Sequence, residues 1–371
     1  MTAGVSGGPL FLFALLLQVV LIHVFCSLPT VVHSKCILFN FGDSNSDTGG
    51  LMAGLGLYLG PPAGRRFFHK TTGRFCDGQL YIDFICESLK INFLSPYLES
   101  SGSNFSHGVN FAVAGAATEP TAIPFTLSTQ VLQFFHFKNR TRELRAQGLG
   151  LLISEKGFRN AVYSFDMGQN DISIALSSNV SYSAVIEKIP SILSRIKDAI
   201  KSIYKNGGRK FWVYNTGPLG CLPQMLAFLK KNDSVLDAVG CLATVNNAAK
   251  EFNAGLWGLC NQISSKYKDA TVVYTDMFAI KYGLITNHAK YGFVNPLMAC
   301  CGYGGTPYNY RFSMQCGEPN VTACPVGSRY ISWDGVHYTE AANSIIASKI
   351  LSAKLQMRMV AESLSYAILG R

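Results

Sequence analysis

Charge is scarce in this chain and unevenly spread. Only 15% of its 371 residues are Asp, Glu, Lys or Arg, and the first 34 carry none. The formal charge is +10, yet no dense basic run occurs. Zinc-finger, basic-zipper and RNA-binding signatures are absent, so nothing points to nucleic acid as a partner. A basic surface of this kind offers at most a weak attraction to acidic polysaccharide. No C-x-x-C pair has zinc spacing. Asp43, Asn45 and Asp47 alternate as in a calcium loop, but the sixth position is Thr48 rather than Gly and the twelfth is Gly54 rather than a bidentate Glu. Outside the leading segment, no linker, repeat or composition break divides the chain.

Apolar residues are plentiful, at 48%, and describe a globular protein with a large core. Leu10 to Phe25 is a nearly unbroken apolar run containing Gln18 and His23. It reads as a secretory signal within residues 1–34, cut after Ser27 or Ser34. The alternative is a retained membrane anchor, for which the run is short. Residues 35–371 then read as a single domain with no stable membrane span. Removing the segment takes Cys26 with it and leaves ten of the eleven cysteines. In a secreted chain the plain expectation is disulfides. Cys300, Cys301, Cys316 and Cys324 cluster in a Gly-, Pro- and Tyr-rich stretch, as in a stapled loop, and Cys221 could pair with Cys241. Five N-x-S/T sequons, at Asn104, Asn139, Asn179, Asn232 and Asn320, sit in polar, loop-like settings and support a eukaryotic secretory route.

Short apolar runs alternate with helical patterns. Cys36–Phe39, Val109–Ala114, Asn160–Phe165, Lys210–Tyr214 and Thr271–Tyr274 read as strands. Helices are expected around Leu80–Leu89 and Phe125–Phe137, from just after Asp171 to about Tyr204, over about Asp233–Lys266, and from Thr339. The Phe125–Phe137 helix reads either as a wall at the mouth of a site or as an ordinary core helix. This order argues for a parallel sheet covered on both faces. Sites in such sheets form at the carboxyl ends of the strands. Ser44, Gly115 and Asn170 each follow a predicted strand end.

The stretch Phe39-Asn40-Phe41-Gly42-Asp43-Ser44-Asn45-Ser46-Asp47-Thr48-Gly49 carries the chemistry. A serine on a tight turn after a buried strand presents its hydroxyl out of the sheet beside free backbone N–H groups. Such a hydroxyl needs a base, and the base needs an orienting acid. Of the five histidines past residue 34, only His337 has a carboxylate three residues earlier in a polar turn, Asp334. The backbone N–H groups of Ser44 and Gly115 and the amide of Asn170 could receive an oxyanion. Asn170 could equally be a helix cap and Gly115 a plain turn glycine. Gly4-Val5-Ser6-Gly7-Gly8 matches G-x-S-x-G formally, but it lies in the leading segment with no strand before it.

Taken together, the blocks Phe41–Gly49, Gly108–Ala116, Gly168–Asp171 and Trp333–His337 resemble those of plant GDSL-type esterase/lipases of the SGNH-hydrolase superfamily. Gly217–Pro223 and Cys300–Gly305 are similar as well, and the match runs in order from about residue 35 to 353. The resemblance implies a flavodoxin-like three-layer αβα sandwich with a mostly parallel sheet. It implies Ser44 as nucleophile, His337 and Asp334 as base and orienter, and Ser44, Gly115 and Asn170 as the oxyanion hole. It implies no metal or cofactor. The subgroup looks like that of early nodule-specific proteins and of relatives named α-fucosidases or acetylesterases. Two features depart from the pattern: Asn45 stands where the name-giving motif has Leu, and the tail from about Lys354 does not look like the usual ending.

The expectation is therefore a secreted, extracellular serine carboxylester hydrolase acting on a small-molecule, lipid or acylated-sugar ester. The rivals are an acyltransferase using the same acyl-enzyme and a non-catalytic glycoprotein. A glycosidase would need two opposed carboxylates. Asp334 already has a role, and no other pair stands out.

Overall fold

Alternation along each strand decides which layer its side chains join. In β1 (Leu38–Gly42), Phe39 and Phe41 point to one side of the sheet and Leu38 to the other. In β3 (Val162–Asp166), Tyr163 and Phe165 join the first side and Val162 the second. β2 (Gly108–Asn110), β4 (Lys210–Tyr214) and β5 (Thr271–Thr275) complete a parallel set in the order β2-β1-β3-β4-β5. The computed structural model describes residues 36–150, 152–178, 180–230 and 232–352, together with the backbone of 356–359.

The first face is aromatic. Phe41 stacks between Phe111 and Phe165, with ring centroids 5.2 and 5.1 Å away. Phe39 stacks on Phe158 at 5.5 Å. Each such ring contributes roughly 1.5–3 kcal/mol on burial. This face is covered by α3 (Leu127–Ala146), α6 (Tyr182–Lys205) and α8 (Ala243–Lys266). α6 shows how its sequence makes it helical. Ser181 caps it through the Ala184 N–H, and Val185, Ile189, Ile192, Ile196, Ile200 and Ile203 recur at three- and four-residue spacing on its buried side. The opposite face is covered by α2 (Tyr81–Ser88), α9 (Met277–Thr286) and α10 (Glu340–Leu351). The result is the three-layer αβα arrangement that the alternation of elements predicted.

Shorter pieces fill the connections: α1 (Gly50–Leu55), α4 (Glu155–Asn160), α5 (Gln169–Ser177) and α7 (Pro223–Leu229). A small ladder pairs β6 (Cys301–Gly302) with β7 (Thr322–Ala323). β8 (Gln356–Met359) adds an antiparallel edge strand against β5, so part of the unusual tail joins the main sheet.

Several expectations need correction. β2 stops at Asn110 rather than Ala114: the Phe111 and Val113 N–H groups still donate to the Asn40 and Gly42 carbonyls of β1, but the Ala112 N–H turns to Asn110 Oδ1 and the Ala114 N–H to Asp47. The single helix expected after Asp171 and running to about Tyr204 is two helices, α5 and α6, with Ser178 closing the first and Ser181 opening the second. The helix expected from Asp233 begins only at Ala243, because the Cys221–Cys241 disulfide holds the intervening chain as a loop. The stapled loop is present, with Cys300–Cys324 and Cys301–Cys316 bonds. Disulfides do not use all the remaining cysteines, however. Cys76, Cys86 and Cys260 are buried thiols packed as small hydrophobes within the two cores. Among the sequon asparagines, Asn104, Asn232 and Asn320 are exposed in irregular chain, whereas Asn139 is exposed on α3 rather than in a loop. The leading segment and Asn179 lie outside the described residues.

Candidate active site

Polar residues gather at the carboxyl end of the sheet. Beneath the Ser44 turn, Asn40 donates to Ser46 Oγ at 3.0 Å and to Asn110 Oδ1 at 2.9 Å. It accepts from Ser164 Oγ at 2.7 Å. Asn110 in turn donates to the Ser46 carbonyl at 2.7 Å and to Thr48 Oγ1 at 2.9 Å. These bonds lock the turn onto β1, β2 and β3. Asp47 extends the lock. Its carboxylate accepts from the N–H groups of Gly49, Gly50 and Leu51 at the start of α1, and from Ala114 N–H at 2.7 Å. The two aspartates of the alternating Asp-Asn-Asp pattern thus accept from backbone N–H groups, and Asp47 fixes the residue just before Gly115.

Gln130 was not singled out by sequence. From α3 its amide oxygen accepts from Gly42 N–H at 3.0 Å, and its Nε2 donates to the Gly42 carbonyl at 2.8 Å. The expected Phe125–Phe137 helix is therefore a core helix that also braces the residue two before Ser44. A fully buried glutamine in an aromatic helix was the available signal.

Ser44 is 5% exposed, and among the described residues neither its Oγ nor its N–H has a hydrogen-bond partner. Gly115 N–H likewise has none. Gly115 adopts φ +78°, and a Cβ there would come within 2.8 Å of Ile123. Both the backbone shape and the close approach of Ile123 favour glycine. Asn170 is the second residue of α5, and its side chain caps nothing. Its amide donates to the Ala116 carbonyl at 2.9 Å and reaches Asp43 Oδ2 at 3.5 Å. The structure thus places Asn170 against the Gly115 turn and the serine turn together.

The histidine lies on a separate loop. Asp334 Oδ2 meets His337 Nδ1 at 2.6 Å, and Asp334 Oδ1 accepts from the His337 and Val336 N–H groups. Burial pushes the Asp334 carboxyl up, but the facing imidazole and these hydrogen bonds outweigh it and hold it below the usual carboxylate value. With Nδ1 engaged, His337 Nε2 is buried and has no hydrogen-bond partner among the described residues. Phe75 packs against the imidazole with ring centroids 5.0 Å apart. Gly335 adopts φ +97°, and a Cβ there would run into the Tyr310 ring. The stapled loop supports the turn: Cys300 N–H donates to the Ser332 carbonyl and Cys301 N–H to the Trp333 carbonyl.

A charged cluster sits behind the serine turn. Asp43 and Asp166 are both buried, and Tyr81 donates to Asp166 Oδ2 at 2.6 Å. Burial and the neighbouring Asp166 push the Asp43 carboxyl up to about 7, against the pull of Asn45 and Lys281. Lys281 was also missed by sequence, although a lysine inside the apolar run Met277–Ile285 was a signal. Among the described residues no group of His, Cys, Asp and Glu is placed to hold a metal ion.

Comparison with known proteins points the same way. A family model described as GDSL-like Lipase/Acylhydrolase matches residues 38–350. The Arabidopsis thaliana protein GDSL esterase/lipase At1g09390 is 54% identical over 331 residues, covering 88% of this chain and 87% of the relative. GDSL esterase/lipase LIP-4 of the same plant is 53% identical, covering 86% of each. A relative named Alpha-L-fucosidase 3, also from Arabidopsis thaliana, is 41% identical over 84% of this chain and 89% of its own length.

Proposed function

From the premise that the chain belongs to the GDSL-like lipase/acylhydrolase family and is an ester-hydrolysing enzyme, we propose a serine carboxylester hydrolase working through an acyl-enzyme on Ser44. The observation that carries this reading is the His337 imidazole: Nδ1 is held by Asp334, while Nε2 is buried with no hydrogen-bond partner among the described residues. That leaves one tautomer-defined nitrogen free to take a proton.

The steps follow. Ser44 Oγ bonds to the acyl carbon as His337 Nε2 takes the hydroxyl proton. The charge that develops on the carbonyl oxygen is met by the free N–H groups of Ser44 and Gly115 and by the Asn170 amide. Collapse breaks the ester bond, and the alcohol leaves with the proton from Nε2. Water then attacks the acyl-enzyme by the same route and releases the acid and Ser44. Asp334, held ionised, stabilises the imidazolium that forms twice per cycle. Ile123 beside Gly115 and Phe75 beside His337 give the reacting centre apolar neighbours, which suits an acyl or alkoxy group.

The same reading makes the protein secreted and extracellular. Three disulfides among the described residues and the exposed Asn104, Asn139, Asn232 and Asn320 support it. No helix among the described residues is long and apolar enough to cross a membrane.

The test is turnover of p-nitrophenyl acetate, butyrate and palmitate by the protein and its Ser44→Ala variant. Turnover should fall by on the order of 10⁴ or more in the variant. Full activity in Ser44→Ala would overturn the mechanism.

A further inference from the structure

One buried ammonium touches the chain neighbours of both halves of the site. Lys281 is 3% exposed on α9. Its Nζ donates to Asn45 Oδ1 at 3.3 Å, and Asn45 directly follows Ser44. The same Nζ lies 4.6 Å from the centroid of the Tyr338 ring, and Tyr338 directly follows His337. Asn45 reaches a third segment. Its Nδ2 donates to Asp43 Oδ1 at 2.9 Å and to Gln169 Oε1 at 3.2 Å, and Gln169 directly precedes Asn170. The residues next in chain to the nucleophile, the base and the oxyanion amide therefore meet at one Asn45–Lys281 contact.

The surroundings are shaped for that lysine. A Cβ on Gly217 would come within 2.8 Å of Lys281 Cδ, so the glycine after β4 leaves room for the stem. The charges that face the ammonium are the buried carboxylates of Asp43, on the serine turn, and Asp166, at the end of β3. A buried ammonium needs compensating partners, and here the direct ones are an amide oxygen and a ring face, with the Asp166 and Asp43 carboxyls adding a longer-range pull that burial outweighs. This also accounts for Asn45. A leucine there would give Lys281 no acceptor and leave Asp43 and Gln169 without the amide donor.

We propose that Lys281 is a positioning residue, acting through Asn45 and Tyr338 to hold the serine turn, the α5 start and the histidine loop in one register. It touches no substrate. The inference rests on the Ser44–His337 reading of the site. Misplacement by about 1 Å can cost on the order of 10²-fold in rate, so a register element should be visible in kcat.

The experiment compares wild type, Ser44→Ala, Lys281→Met, Asn45→Leu, the Asn45→Leu/Lys281→Met double variant and Tyr338→Leu. The readouts are kcat and KM on p-nitrophenyl acetate and, in parallel, the melting temperature. Assays run well below each melting temperature, so that a loss of stability alone does not lower kcat. Lys281→Met and Asn45→Leu should each lower kcat about 10- to 100-fold with KM within about two-fold. The double variant should be no slower than the slower single, since both remove the same contact. Losses that multiply in the double variant would overturn the inference, as would wild-type kcat in Lys281→Met. If Lys281→Met does not fold, Tyr338→Leu decides. A lower kcat at unchanged KM supports the register role, and wild-type kcat overturns it. Activity that survives Ser44→Ala would instead bring down the reading of the site itself.

Discussion

Residues 42–50 and residues 331–339 supply the two halves of the site, and different bonds fasten them. The serine half sits on the sheet and is held by buried amides and carboxylates: Asn40, Asn110, Asp47, Gln130 and the Asp43–Lys281 cluster. The histidine half sits on a loop. It is held by two disulfides close by in sequence, by backbone bonds from Cys300 and Cys301, and by the Asp334 carboxylate. A strand end is already rigid, and side-chain bonds suffice to aim it. A long irregular loop has no such frame, and covalent links replace one by reducing the freedom of the unfolded chain. The serine half should therefore respond to pH and the histidine half to reductant.

The comparison can be tested in steps. The largest effect should treat both halves alike. His337→Ala should match Ser44→Ala, with turnover lower by on the order of 10⁴ or more, because the pair acts as a unit. A much milder His337→Ala would mean that the loop does not supply the base. Next, Asn170→Ala should cost roughly 10²–10³ in kcat, the range for one oxyanion donor. An unchanged kcat would leave Asn170 as a brace between Ala116 and Asp43 only. Third, Cys300→Ser combined with Cys324→Ser opens a cross-link with a sequence separation of 24. It should lower unfolding stability by about 3 kcal/mol in a urea titration. Mild reductant should cost wild type at least as much, and the double variant less than wild type, since it keeps only Cys301–Cys316 and Cys221–Cys241 among the described disulfides.

Fourth, the Asp43 carboxyl is raised to about 7 in the fold. The unfolded chain gives up that proton in the ordinary carboxylate range, so between the two values the native state binds more protons. Asp43 therefore contributes stability that is full at low pH and is lost as pH rises toward about 7. Urea titrations across that window should show a smaller decline with pH in Asp43→Asn than in wild type. Equal slopes would assign the pH response to another group. The smallest effect belongs to the cap of α10, where Thr339 Oγ1 accepts from the Ala342 N–H. Thr339→Ala should cost about 1 kcal/mol in the same titration.

Much of this was legible in the chain. β4 has the predicted limits, because an apolar run between a Gly-Gly-Arg turn and Asn215-Thr216-Gly217 leaves little choice. The strand-helix order gave the sandwich, and the Asp334–His337 spacing gave the short Nδ1 contact. What was illegible depends on tertiary partners. Nothing local shortens β2, since the Ala114 N–H is drawn aside by Asp47 of the serine turn. Nothing local separates the buried thiols Cys76, Cys86 and Cys260 from the bridged cysteines, because packing decides which sulfurs meet. In the sequence Lys281 and Gln130 are single polar residues within largely apolar stretches. Their roles appear only once α9 and α3 lie against the serine turn.

The Gln130 brace has a consequence for divergence. A helix side chain holds the Gly42 peptide from both ends, and among the described residues no hydrogen bond ties residues 119–124 to the serine turn. That segment contains Ile123 and lies beside Gly115. Residues 119–124 can therefore change in sequence across descendants of this scaffold while the serine turn stays put. New substrate preferences could then arise through that stretch alone, with the reactive end of β1 inherited intact.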